Sequence, residues 1–349
     1  MGSLVKDRLQ VFTGVRIAGA AATYPDKVVS NDEMIAADEN LAKYDPQIIL
    51  ERVGVETRHR ARPDDYAAEM IARASELALK EAGISKDQVE KVIVCPNPPD
   101  FITPPVSSMV HGLLELPAGV PGVDINMACT GFLSAVEYAL ALMQNPGGPK
   151  VVLVGGNNNM AKVEYAFPVN GMIFGDGAGA VVLEKTSPDS GHDWYMHLYT
   201  LGYEWPLIVC PFPNQITPIK EPISEHAKRG FVMDGPYEDF KAIMYRDIGP
   251  RIKWFFEREE IRGLSVHKGF VHQPSRFLFE DCTDLVVQYS DIDRDMIHRN
   301  LHRYGNLISA EVPSLLDEAI HDGTLRRGDL FYCHIYGAGV TGAQMIARF

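Results

Sequence analysis

Several things are scarce in this chain of 349 residues, and each shortage narrows what it can be. Only five cysteines occur, an odd number with no C-x-x-C pair, which argues against a disulfide frame, a zinc site or any other metal centre. No apolar run reaches the roughly 18 residues that a membrane-spanning helix needs. The start, Met1-Gly-Ser-Leu-Val-Lys-Asp-Arg8, reads neither as a signal peptide nor as an amphipathic transit segment, so a soluble cytoplasmic protein without membrane association is expected. Runs rich in lysine or arginine are also missing. With 33 basic against 46 acidic residues the formal charge is −13, which speaks against nucleic-acid binding. Low-complexity segments and long linkers are absent too. What remains, at 46% hydrophobic residues, can bury a large core, and the length allows about two domains.

Against that background Cys129 stands out. It follows the short apolar stretch Val123-Asp-Ile-Asn-Met-Ala128 and opens a segment in which Phe132, Leu133, Val136, Ala139 and Leu140 recur at helical spacing. A thiol at a strand-to-helix handover sits at the positive end of the peptide dipoles, which favours thiolate by roughly 0.3–2 kcal/mol. Gly131 is expected to let another backbone or a substrate come close. Most cysteines are small buried hydrophobes, and Cys95, Cys210, Cys282 and Cys333, in or beside apolar runs, are read that way. Two further segments separate Cys129 from them. His272 comes directly after the strand-like Gly269-Phe-Val271, and Asn306 in Tyr304-Gly-Asn306 stands before another helical stretch, 309–320. A lone histidine or a lone asparagine before a helix has an ordinary reading as core residue or cap. Three such groups at element ends in one chain form a candidate constellation for nucleophilic catalysis.

Strand-like runs such as Val92-Ile-Val-Cys95, Val151-Val-Leu-Val154 and Ala180-Val-Val-Leu183 alternate with helical stretches such as 67–82, which predicts an α/β architecture with largely parallel strands. The second half repeats the theme with 269–272, 309–320 and 329–335. The turn-rich Lys185-Thr-Ser-Pro-Asp-Ser-Gly191 reads as the junction, giving one half over 1–186 that carries the cysteine and another over 187–349 that carries the histidine and asparagine. Phe174-Gly-Asp-Gly-Ala-Gly-Ala180 contains glycine-x-glycine, but a strand follows it, so no helix N-terminus waits for a phosphate. A tight turn, with Asp176 accepting backbone hydrogen bonds, is expected there.

At these residues the chain resembles the β-ketoacyl-acyl-carrier-protein synthase III family of the thiolase superfamily. The resemblance runs from Gly14-Val-Arg-Ile-Ala-Gly19 to the final Ala-Arg-Phe349 and includes the loops Phe174–Ala180 and Tyr336-Gly-Ala-Gly-Val-Thr-Gly342. It implies a thiolase fold, two similar βαβαβαββ halves packed in five layers, α-β-α-β-α. It also implies a homodimer and a catalytic set of Cys129, His272 and Asn306, with the backbone amides of Cys129 and Ala338 as oxyanion hole. No permanently bound cofactor is expected; the substrates implied are phosphopantetheine thioesters, on acyl carrier protein or coenzyme A. Carrier proteins are acidic, so docking one on this acidic chain calls for a local basic patch. Lys241, Arg246, Arg251, Lys253, Arg258 and Arg262 cluster in the segment leading toward His272, where a merely solvated helix face is the competing reading.

The implied chemistry is a Claisen condensation. An acyl group waits on Cys129 while a second thioester becomes an enolate, whose oxygen needs hydrogen-bond donors and not a carboxylate. One imidazole and one carboxamide N–H meet that need. Biosynthetic thiolases carry a second cysteine in a C-terminal Cys-x-Gly pattern; here Tyr336 precedes the loop and Cys333 lies upstream in a strand-like run. Hydroxymethylglutaryl synthases rely on a glutamate base, and nothing in the sequence marks one. Chalcone-synthase relatives share the triad but resemble the chain less.

Three positions depart from the housekeeping pattern. Ile48, four residues before Arg52, replaces the tryptophan that stacks the coenzyme A adenine, and isoleucine has no π-face. Thr103 stands where housekeeping relatives place a partner-subunit phenylalanine that closes the acyl pocket, and where head-to-head condensing relatives place a glutamate base. Ser275, beside Arg276 in the pantetheine region, replaces an asparagine. The expectation is therefore a ketosynthase-type acyltransferase that joins a sizeable acyl chain to a second carrier-bound chain in specialised, pyrone- or polyketide-like metabolism. Fatty-acid initiation from acetyl- or short acyl-coenzyme A is one alternative. Acyl transfer to an alcohol or amine is another.

Overall fold

The computed structural model describes residues 6–163, 165, 167–210, 231–233 and 237–349. Its strands are β1 (Gln10–Phe12), β2 (Val15–Thr23), β3 (Val28–Ser30), β4 (Thr57–His59), β5 (Lys91–Cys95), β6 (Gly122–Asp124), β7 (Val151–Asn158), β8 (Gly177–Lys185), β9 (Trp194–Thr200), β10 (Ile208–Val209), β11 (Val232–Met233), β12 (Val266–Val271), β13 (Leu330–Gly337) and β14 (Thr341–Arg348). The α-helices are α1 (Asn31–Ala37), α2 (Pro46–Val53), α3 (Ala67–Ala82), α4 (Val106–Leu113), α5 (Gly131–Met143), α6 (Tyr237–Ile243), α7 (Gly249–Phe256), α8 (Arg276–Tyr289), α9 (Leu301–Tyr304) and α10 (Glu311–His321).

Strand periodicity builds the layers. Along β7, Val152 and Val154 face one hydrophobic cluster while Val151 and Leu153 face another, as side chains alternate across a pleated strand. On β13, Phe331, Cys333 and Ile335 join the first of these clusters, and Tyr332 and Tyr336 join a third. The shared cluster lies between two five-stranded sheets, ordered β2-β8-β7-β5-β6 and β1-β9-β14-β13-β12. Helices α5 and α10 fill it with Phe132, Leu133, Val136, Leu140, Val312, Leu315 and Leu316. Helix α3, its apolar positions buried from Ala67 to Leu79, covers the outside of the first sheet with α4. Helices α7 and α8 cover the outside of the second. The order of layers is α-β-α-β-α, the thiolase fold.

The expectation of largely parallel strands is corrected. Only β5–β6, β5–β7 and β12–β13 are parallel in the two large sheets; β2–β8, β7–β8, β1–β9, β9–β14 and β13–β14 are antiparallel. Connection length is the reason. Only Ala338, Gly339 and Val340 separate β13 from β14, too short for the crossover that a parallel pair requires. Strand β8 ends at Lys185 and β9 begins at Trp194, while β1 leaves the amino-terminal half to pair with β9 at the edge of the second sheet. Among the described residues no helix is long and apolar enough to cross a membrane.

Because the middle layer is held from both sides, Leu133→Ala is expected to lower unfolding stability by about 2–5 kcal/mol in a urea titration. Tyr138→Ala, on the same helix but 37% exposed, is expected to change it by about 0.5 kcal/mol.

Candidate active site

The two middle-layer helices begin in the same way. A 3-10 turn, Ala128–Thr130, leads into α5, and a second, Ile308–Ala310, leads into α10. Each turn contains a non-glycine residue in the left-handed region, Ala128 at φ +46° and Ile308 at φ +50°. Such conformations cost about 1–2 kcal/mol each and persist where the surroundings impose them. Each turn is also tied to the opposite half. The Thr130 hydroxyl lies 2.8 Å from that of Thr341 on β14, and Ser309 Oγ lies 2.7 Å from both Cys95 O and Asn157 O in the first sheet. The turns that open α5 and α10 thus share one backbone shape.

Cys129 Sγ, His272 and Asn306 line one cavity, together with Ala338 and Gly337 of the last glycine loop. Gly337 is the glycine that lies against the thiol: a Cβ there would stand 2.8 Å from Cys129 Cβ and 3.2 Å from Sγ. The expected role of Gly131 is corrected, since its neighbour is Cys95 Cβ in the core and no substrate space opens there. His272 sits at the end of β12, 1% exposed, its amide donating to His334 O at 2.9 Å. Its Nδ1 is hydrogen-bonded to Glu311 Oε2, which leaves Nε2 as the nitrogen free to act on Cys129. Burial alone would push the His272 imidazolium down, but the Glu311 carboxylate and the Cys129 sulfur more than offset it and raise its pKa to about 10.

Asn306 is oriented by its own loop. Gly305, at φ +68°, turns the chain, and a side chain there would run into Ile173 O at 2.8 Å. The Asn306 amide donates to Ile173 O, and Ile308 N–H donates to Asn306 Oδ1 at 2.8 Å. With Oδ1 occupied, the carboxamide NH₂ is the end available to the cavity. A thiol, an imidazole and an amide donor around one space can bind an acyl group covalently and stabilise negative charge on a second oxygen. Beneath them Asp176 behaves as expected, accepting from Ala61 N at 2.9 Å and Met160 N at 2.7 Å, and β8 follows the glycine loop.

The cavity, about 950 Å³ with its open mouth, runs away from these groups between apolar walls. Met160, Phe174, Phe231 and Ile308 form one wall; Phe240, Ile243, Met244 and Ile248 of α6 and the π-helical turn Met244–Ile248 form the other. A π-turn widens the helix locally and commonly sits at functional sites. Cys210, expected in the core from its apolar neighbours, is exposed and lines this cavity.

The remaining candidate residues lie elsewhere. Ile48, 47% exposed, and Arg52 are on α2; Arg276 opens α8, and Ser275 precedes it without a side-chain capping bond. Arg276 lines a separate groove with Gln47, Glu51 and Gln273, the residue next to His272. Thr103 is on an exposed loop and does not touch its own chain's cavity. Of the six basic residues expected as a patch at 241–262, four are paired with carboxylates, while Arg258 and Arg262 bond only the backbone carbonyls of Trp254 and Glu257. Arg246 bonds Glu204 and Asp247, Arg251 bonds Asp7, Lys241 pairs with Asp281, and Lys253 with Glu257. Among the described residues no group of histidine, cysteine and carboxylate side chains could hold a metal.

Family models for 3-oxoacyl-[acyl-carrier-protein] synthase III match residues 123–202, and for its C-terminal part residues 257–349. A β-ketoacyl-[acyl-carrier-protein] synthase III of a Sulfurovum species is 25% identical over 97% of this chain and 96% of its own length. The chain belongs to the β-ketoacyl-acyl-carrier-protein synthase III family. It is also similar to the acetoacetyl CoA synthase NphT7 of a Streptomyces species, 27% identical over 94% of this chain and 96% of the relative. In fold, the synthase III of Aquifex aeolicus superposes with a TM-score of 0.80 at 23% identity, covering 96% of this chain and 100% of that one.

Within this ketosynthase, sequence reasoning missed Glu311 and the wall formed by α6 and the π-helical turn after it. Glu311 reads as an acidic residue in a first helical turn, an ordinary surface role, and only the fold shows it buried against His272. Gly337→Ala is expected to slow alkylation of Cys129 by iodoacetamide about tenfold or more, the rate equivalent of 1.4 kcal/mol, when followed by intact mass.

Proposed function

We propose that this ketosynthase takes a sizeable acyl chain onto Cys129 and joins it by Claisen condensation to a second, carrier-bound thioester. The observation that carries the reading is the orientation of Asn306: its oxygen is held by Ile308 N–H, which leaves its NH₂ for the cavity that His272 also lines. Two N–H donors at one point suit an enolate oxygen, whereas transfer of an acyl group to an alcohol or amine forms no enolate and needs no second donor.

In loading, the Cys129 sulfur attacks the donor thioester, its proton passing to His272 Nε2 and from there to the departing thiol. The backbone amides of Cys129 and Ala338 serve the tetrahedral oxyanion. In the second stage the enolate carbon attacks the acyl carbonyl, the S–C bond breaks, and the sulfur returns as thiolate. Where the second thioester is a malonyl type, loss of CO₂ generates the enolate without a strong base.

The apolar walls support a long first chain in specialised metabolism. A short-chain role, whether fatty-acid initiation or a product such as the Streptomyces relative's name describes, would leave most of that surface unused. Ile48 offers no stacking face to an adenine, which favours a carrier over free coenzyme A. Arg52 and Arg276 are exposed and have no carboxylate partner among the described residues, so they are the cations we assign to the phosphopantetheine phosphate, near Ser275. We further read the enzyme as a homodimer in which the loop of Thr103, with Phe101 43% and Ile102 81% exposed, meets the second copy's cavity.

Intact-mass spectrometry tests the loading step. Long-chain acyl-carrier protein is expected to add its acyl mass to wild type and not to Cys129→Ala, whereas loading by acetyl-coenzyme A alone would restore the housekeeping role. Asn306→Ala is expected to load normally and to lose about 10²–10³ in condensation rate, the effect of one missing oxyanion donor. If Asn306→Ala forms product at the wild-type rate, simple acyl transfer takes the place of condensation.

A further inference from the structure

Glu311 is the first residue of α10 and is 2% exposed. A carboxylate so deeply buried is stable only where its oxygens are satisfied, and both are committed to consecutive residues of the other strand-end. Oε2 takes the His272 Nδ1–H, and Oε1 accepts from Gln273 N at 2.6 Å. Gln273 is itself pinned, donating to His298 O at 3.0 Å and accepting from the amides of Asn300 and Leu301 at 3.1 and 3.0 Å.

The other groups around His272 do not compete for that nitrogen. Tyr336 meets the ring edge-on at 5.2 Å and donates its hydroxyl to Leu278 O. His334 on β13 is held neutral by burial, its pKa pushed down to about 3. Cys129 lies on the Nε2 side, and Asn306 faces the same cavity.

We propose that Glu311 is a positioning residue of the active site: by binding His272 Nδ1–H and Gln273 N–H at once, it fixes the imidazole so that Nε2 alone serves Cys129 and the cavity. The inference rests on the ketosynthase reading above and assigns it a device. With the ring locked, Nε2 accepts the thiol proton during loading and presents N–H to the enolate oxygen during condensation, without turning over between the two. The carboxylate also holds the imidazolium form, so its removal lets His272 lose that proton at lower pH.

The test uses the full chain and needs no acyl donor. Cys129 alkylation by iodoacetamide is followed by intact mass across pH for wild type and Glu311→Gln, whose amide cannot accept from both donors. The expected result is a rate at neutral pH at least about tenfold lower in E311Q, with the whole profile displaced by about one pH unit or more. Superimposable profiles would overturn the proposal. Should E311Q not fold, [¹⁵N]histidine NMR of wild type decides the matter, with the His272 signal assigned from His272→Asn. A ring protonated at Nδ1 throughout the neutral range supports the lock, and an unprotonated Nδ1 removes it. Failure of wild type to take an acyl group would sink the ketosynthase reading while leaving these two measurements to judge Glu311 separately.

Discussion

Everything at this site depends on two turns being stitched across the boundary between halves. Thr130, beside Cys129, is bonded to Thr341 of the second sheet, and Ser309, three residues after Asn306, is held by carbonyls of the first. Neither half alone brings a thiol near an imidazole. The middle layer supplies the force behind the stitching, since α5 and α10 bury apolar side chains against both sheets at once. That burial is what keeps Ala128 and Ile308 in a backbone region they would otherwise leave.

The charge arrangement follows from the same geometry. Strand β12 ends at Val271, so His272 emerges where α10 begins, and the helix start places a carboxylate against its inner nitrogen. The sulfur is on the other side of the ring. An acid, an imidazole and a thiol in line form a proton path with one open end, at the cavity. The amide of Asn306 completes the rim there, turned by a bond from its own loop, so no outer residue is needed to orient it.

Much of this was legible in the chain itself. Helical spacing located α3 residue for residue, and the placing of Cys129, His272 and Asn306 at element ends anticipated that they would share a space. Strand direction was not legible, because a buried strand has the same composition whether its neighbour runs parallel or antiparallel. Nor was the meaning of charge. Arg246 and Arg251 look like a docking patch until the fold brings Glu204 and Asp7, distant in sequence, against them. Glu311 went the opposite way, since an acid in a first helical turn has an everyday explanation and its burial is decided by residues nearly forty positions earlier. Cys210 shows the same limit: apolar neighbours describe the wall of a cavity as well as they describe a core.

Strand β1 carries a consequence for how the molecule comes together. It is translated early, yet among the described residues its only strand partner is β9, with Gln10 opposite Met196, and the indole of Trp194 closes onto Val15 O beside it. The amino-terminal sheet can therefore assemble while this short segment still waits unattached. The join becomes permanent only after the ribosome has delivered Trp194–Thr200, so a strand from early in the chain records completion of the second sheet.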